Sequence, residues 1–307
     1  MDNLTHSLAG ALLGRMGLKR ATGRAMPTLI ISANLPDIDS FIARPLGLDP
    51  IAFHRGFTHG IGGWIVMPFV TAALILAWNR WRPAKEPVRP LAVLLLAAIG
   101  TLSHPLLDLM NTYGVQLFEP LKTGWVYGDT LFIVDPWIWI ACIFGLELSW
   151  RAERHGRDWT RPALAMFALV SAYVAGNAAI SWRAESLAKE RLLAGGLSPT
   201  NVVASPLPIT SWQRRVIWRN AEVGGSAFYD PFSGGGVLFD RTAIPLNLDK
   251  VPPRQAQSDE VRSFLYWSRM PLVLERDGRL YLTDQRYMAP RGSRRSGPFL
   301  VPLESKR

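Results

Sequence analysis

Gly60–Trp78 reads GIGGWIVMPFVTAALILAW, nineteen consecutive residues without a charge. A helix of about 20 apolar residues is the length that crosses a bilayer, so this stretch predicts a membrane span. Ala163–Trp182 (ALAMFALVSAYVAGNAAISW) predicts a second on the same grounds. Two further candidates lie between them. Leu91–Met110 is apolar until His104 and Asp108, and Leu131–Leu146 is apolar apart from Asp135. Ionisable groups are costly within a span and mark candidate functional positions. The composition agrees, since 49% of residues are hydrophobic and only 19% charged, lean in charge for a soluble chain.

Lys and Arg set the predicted direction. Asn79–Pro90 carries Arg80, Arg82, Lys85 and Arg89, and Glu147–Pro162 carries Arg151, Arg154, Arg157 and Arg161, whereas Asn111–Thr130 has only Lys122. Short basic loops stay cytoplasmic, so Asn111–Thr130 and everything after Trp182 are expected outside. Trp64, Trp78, Trp81, Trp125, Trp150 and Trp182 fall near segment ends, where indoles favour the interface. The N-terminus lacks a basic start and a small-residue cleavage site, so insertion is expected to rely on the internal segments. Leu4–Gly17, with Thr5 as the expected N-cap and a basic tail of Arg15, Lys19, Arg20 and Arg24, pairs with Pro27–Leu35 as a helical hairpin with its basic turn inward.

Arg183–Leu193 reads as an amphipathic continuation of the last span. Beyond Gly195-Gly196 come short β-like runs at Asn201–Ala204, Arg215–Trp218, Gly236–Phe239, Leu272–Leu274 and Leu280–Leu282, then a basic, patternless tail after Pro290. The expected fold is therefore an all-α polytopic membrane bundle of four spans plus an N-terminal hairpin, residues 1–182. A small extracytoplasmic β-rich domain follows at 183–307, ending in a flexible tail. Most of the net charge of +10 lies in that second part, where 19 Lys/Arg face 12 Asp/Glu. A high whole-chain pI is thus poor evidence for nucleic-acid binding, and attraction to anionic lipid head groups is at least as good a reading. The single cysteine, Cys142, excludes an intrachain disulfide and a thiolate metal site.

Four of the five histidines share a few short motifs with acidic residues: Thr5-His6-Ser7, Leu35-Pro36-Asp37-Ile38-Asp39, His54-Arg55-Gly56-Phe57-Thr58-His59, Ser103-His104-Pro105-Leu106-Leu107-Asp108, and Asp129 with Asp135. His155 lies apart in an Arg-rich loop. On the topology drawn from Lys and Arg, every one of these motifs lands at the outward level. His104 and Asp108 are four apart and share a helical face, as ligands of one metal or a bridge between two. Pro36 favours a non-helical entry, which leaves Asp37 and Asp39 pointing the same way in an extended loop. His54 and His59, five apart, do not share a helical face, so one is expected to ligate and the other to stand behind it or face substrate. Asp129 and Asp135 also read as helix caps. Imidazole and carboxylate without thiolate suit Zn²⁺, Mn²⁺ or Fe²⁺.

At these motifs the chain resembles the YdjM-type family of membrane-bound, metal-dependent hydrolases. THSLAGALLG, LPDID, HRGFTHG, SHPLLDLMNTYG and DTLFIVDPW carry the resemblance, over about residues 1–150. That family is more remotely similar to zinc-dependent phospholipase C and P1-type nucleases, helical enzymes with clustered zinc and a helical His-x-x-x-Asp pair that His104 and Asp108 match. The resemblance implies that Asp37 and His59 complete one metal site and that His6 shares Asp108 at another. The chain shows no second His-x-x-x-Glu/Asp helix for a third ion.

The expected activity is metal-assisted hydrolysis of a phosphoester or ester in a lipid or other amphipathic substrate, at the outer face of the inner membrane, with one or two divalent ions, zinc first. Asp39 and His54 are the expected acid–base or outer-shell groups, and Arg55 the expected stabiliser of developing negative charge. The alternative is a non-catalytic membrane protein with a structural, sensing or transport metal site. A transporter needs polar residues tracking through the bundle, and here they gather at one end.

Overall fold

The computed structural model describes residues 1–307 except 44, 46, 48–49, 289–296 and 304–307. Two compact units divide the chain, residues 1–46 with 53–176, and 47–52 with 177–307.

In the first unit, α1 (Asn3–Arg15) and α2 (Ala25–Asn34) form the expected hairpin and pack against each other. Asp2, and not Thr5, caps α1, accepting from the Leu4 and Thr5 backbone N–H groups, each at 3.0 Å. An aspartate there also places negative charge at the positive end of the helix dipole, which the Thr5 hydroxyl does not. Leu35–Asp37 is a 3₁₀ turn running straight into α3 (Ile38–Ala43), which corrects the extended loop expected around Pro36. Proline at the start of a helical turn lacks only an N–H that has no partner there anyway. After the short α4 (Pro50–Phe53) come α5 (Ile61–Trp81), α6 (Pro90–Leu109) and α7 (Pro136–Arg154). α7 begins on an Asp135 cap, whose carboxylate accepts from Trp137 N–H at 3.0 Å and from the Tyr173 hydroxyl at 2.8 Å.

α2 packs closely on α6. Gly100 on α6 permits this approach, since a Cβ there would lie 2.9 Å from the Leu29 carbonyl oxygen on α2. The hairpin turn meets the Arg-rich loops. Arg15 and Lys19 pair with Glu153, and Lys19 lies 4.2 Å from the centre of the Trp159 ring. Gly23 N–H donates to the Pro87 carbonyl at 2.9 Å and Arg89 N–H to Thr22 Oγ1 at 2.7 Å. The hairpin turn and both basic loops therefore share one end of this unit.

The helix α8 (Thr160–Ala194) runs 35 residues without a break, as the amphipathic continuation expected after Trp182 requires. Among the described residues three helices, α5, α6 and α8, are long and apolar enough to cross a membrane. α7 has the length, but Glu147, Arg151, Glu153 and Arg154 occupy its last turns.

In the second unit β1 (Asn201–Pro206), β2 (Arg214–Arg219), β3 (Val223–Tyr229) and β4 (Val237–Phe239) form an antiparallel sheet in chain order, and β5 (Ile244–Pro245) also pairs with β3. Ala184 and Ala188 of α8 pack on Ala204, Val216 and Ala227 of this sheet. A second sheet comprises β6 (Pro271–Arg276), β7 (Arg279–Asp284) and β8 (Leu300–Leu303), preceded by the amphipathic α9 (Asp259–Trp267). β8 lies within the stretch read from sequence as a patternless tail; residues 291–296 and 304–307 of that tail lie outside the described residues.

Candidate metal centre

Four side chains from three segments converge. Asp37 stands in the turn after α2, His59 in the turn before α5, and His104 and Asp108 on the last turns of α6. One ligand atom from each lies within 4.8 Å of all the others. His59 Nε2 is 3.5 Å from Asp37 Oδ1 and 3.3 Å from Asp108 Oδ2. His104 Nε2 is 3.4 Å and 3.5 Å from the same two oxygens. The two Nε2 atoms are 3.0 Å apart.

The outer contacts fix which ring nitrogens carry protons. His104 Nδ1 lies 2.7 Å from the Ala33 carbonyl, which can only accept, so Nδ1 donates and Nε2 presents a lone pair. Thr58 Oγ1 donates to Asp39 Oδ2 at 2.7 Å, which leaves its oxygen to accept from His59 Nδ1 at 2.9 Å. His59 Nε2 is then also a lone pair. Two imidazole lone pairs and two carboxylates facing one point are all acceptors, and a cation among them turns mutual repulsion into attraction. Asp108 Oδ2 supports this fit: it is buried and has no hydrogen-bond partner among the described residues.

Burial pushes the Asp39 carboxyl up, but hydrogen bonds from His54 and His59 outweigh it and hold the group well below the usual carboxylate range. His59, His104 and Asp108 are shut off from solvent, whereas the Asp37 side chain keeps 13% exposure, so the group opens on that side.

Asp39 stands behind this group. It accepts from Arg55 N–H at 3.0 Å and from Thr58, and it pairs with His54 Nδ1 at 2.9 Å. The His54 ring is part-exposed, and with Nδ1 engaged by Asp39 its second nitrogen is Nε2. Arg55, at a positive φ of 62°, buries its guanidinium against Asp108 at 3.0 Å, the Asn111 amide oxygen at 3.1 Å and the Gly114 carbonyl at 3.2 Å. These contacts hold the Asp108 carboxylate in place. The Met1 amino group also contacts Asp108 Oδ1. His6 lies outside the four-residue group but beside it, stacked on His104 with ring centres 3.7 Å apart and 3.5 Å from Asp108 Oδ1. Neither nitrogen of its buried ring has a hydrogen-bond partner among the described residues.

All eight site residues expected from sequence thus gather at one place, while Asp135 acts as a helix cap and His155 closes α7 in an exposed turn. Sequence reasoning missed Thr58, Asn111 and the Ala33 carbonyl. The first two lie inside the quoted motifs, but a backbone carbonyl leaves no trace in residue identity.

No curated protein and no solved structure matches the chain. The family model described as YdjM inner membrane protein matches residues 1–184, a region that contains every residue of this centre. With more than half its length matched, the chain belongs to the YdjM inner membrane protein family.

Proposed function

We propose that this membrane protein is a metal-dependent hydrolase of a phosphoester or ester in a lipid or other amphipathic substrate, working at the outer face of the membrane through a four-span bundle. The observation that carries the metal is the pair of imidazole lone pairs 3.0 Å apart between two carboxylates. Asp37, His59, His104 and Asp108 would hold a divalent ion, zinc first by donor type, with Mn²⁺ or Fe²⁺ as alternatives. Asp37, Asp39 and His54 form a second acceptor group. Asp39, however, is already engaged by His54, Arg55 and Thr58, so we assign one ion to the first group and leave His6 beside Asp108 as the place for another.

When bound, the ion would supply Lewis-acid activation of water and of the scissile group. The chain's own residues do the rest. Asp39 fixes the His54 ring through Nδ1, which leaves Nε2 to take a proton from the attacking water and return it to the leaving group. Arg55 positions Asp108, and Thr58 positions His59.

The substrate class rests on surroundings. The segments next to the ligands carry exposed apolar side chains: Phe41 and Ile42 on α3, Phe57 before α5, and Phe118 and Leu121 in the 111–130 loop. Such a surface suits a molecule with an acyl part. Purified protein in lipid, loaded with Zn²⁺ or Mn²⁺, is expected to release product from a phospholipid or amphipathic ester, and His54→Ala to abolish the release. Stoichiometric metal with no turnover across phosphodiester and ester lipids would instead support a structural or sensing centre.

A further inference from the structure

The second unit carries an apolar tip that the centre does not explain. Pro206, Arg214, Tyr229 and Val237 stand in register across β1 to β4, so the loops 207–213 and 230–236 leave the same end of the sheet. The loops are joined there. Gln213 donates to Asp230 at 2.9 Å, and the Trp212 and Phe232 rings meet edge to face at 6.4 Å. Phe232 is 81% exposed and Ile209 64%. Ile209 also adopts a φ of 67°, which is costly for a β-branched residue.

Arg214 fixes the height of this tip. Its buried guanidinium donates to Ser181 Oγ at 2.8 Å and to the Asn177 carbonyl and amide oxygens at 2.8 and 2.9 Å, all on α8. Asn177 and Ser181 belong to the last six residues of the charge-free run Ala163–Trp182, where a span gives way to the interface. The next residue, Arg183, begins the charged part of the helix.

We propose that the Ile209–Trp212–Phe232 tip rests in the interfacial layer of the same membrane that α8 crosses, giving the β domain a second, non-covalent hold on the lipid. Aromatic rings with a polar handle favour that layer, and the excess of Lys and Arg in this part of the chain adds attraction to anionic head groups. The tip is level with the end of a span, so lipid is the apolar phase within its reach.

The test uses full-length protein in liposomes of neutral and anionic phospholipid. With Cys142→Ala as background, Ile209→Cys, Phe232→Cys and Glu260→Cys (the last on exposed α9) are each labelled with an environment-sensitive dye. Blue-shifted emission quenched by lipid spin-labelled near the head group is expected at 209 and 232 and not at 260. Three results would overturn the proposal: no quenching at either tip position, equal quenching at 260, or a blue shift that persists without lipid quenching and rises with protein concentration. The last outcome would assign the tip to a second copy of the chain.

Discussion

Asp39→Asn keeps the volume of a buried side chain while removing its charge, which makes it a test of how the centre is held. Asp39 anchors Thr58, the Arg55 backbone and His54, and its Oδ2 lies 3.4 Å from His59 Nδ1. Without the carboxylate, Thr58 loses its strongest acceptor and is no longer committed to accepting from His59. The His59 tautomer that presents Nε2 inward is then weakened but not lost. Removing such an outer contact costs about 10–100-fold in metal affinity, or about 1.4–2.8 kcal/mol. The measurement is equilibrium dialysis of detergent-solubilised protein against buffered Zn²⁺, with metal read by mass spectrometry and folding by circular dichroism. His104→Ala, which deletes a ligand outright, is expected to lower stoichiometry as well as affinity. Folded Asp39→Asn with wild-type affinity, or folded His104→Ala with full metal, would refute the ligand arrangement; total metal loss in Asp39→Asn would make Asp39 a ligand.

The remaining expectations concern other parts of the molecule. His54→Ala should retain metal and lose about 10²–10⁴-fold in kcat on any substrate found, as measured in a turnover assay. Gly100→Val should push α6 from α2, parting His104 from the Ala33 carbonyl, and so reduce bound metal although residue 100 touches no ligand. Ala188→Leu should overpack the α8–sheet contact and lower the stability of the β domain by about 1–3 kcal/mol in denaturant melts. In that domain burial pushes the Asp284 carboxyl up, but Arg286 at 2.8 Å outweighs it and holds it low. The folded-state pKa is thus depressed, so its contribution is complete above the usual carboxylate value near ~4 and lost as pH falls through the folded value. Arg286→Ala, which strands the carboxylate, should cost about 3–5 kcal/mol at neutral pH by chemical unfolding.

The residues differ in how much of this arrangement they disclose. The apolar helices α5 and α8 were legible because nineteen or twenty charge-free residues admit few other readings. His104 and Asp108 were legible because a helical period places them together. Asp37 and Asp39 were found, but their setting was misread, since Pro36 both interrupts a helix and starts one. Arg55 is expected from sequence to stabilise developing negative charge, and its contact with Asp108 is disclosed only by the fold. In the β domain the runs rich in Val, Ile and Leu declared themselves. β3 did not, because Val223-Gly224-Gly225-Ser226 is weak in strand-forming residues and gains its place from Trp218, which packs where a side chain at Gly225 would stand.

The ligands of the centre are spread unevenly in time as well as in space. Asp37 and His59 leave the ribosome 45 or more residues before His104, a delay of roughly 2–9 s at typical rates of synthesis. For that interval the nascent chain carries half a cluster whose charges have no counterpart, and such groups do not settle in hydrocarbon. The early half must wait at the water boundary until α6 arrives beside it. Placing the cluster at helix ends, away from the mid-span, spares the finished bundle a carboxylate held at the depth of the hydrocarbon.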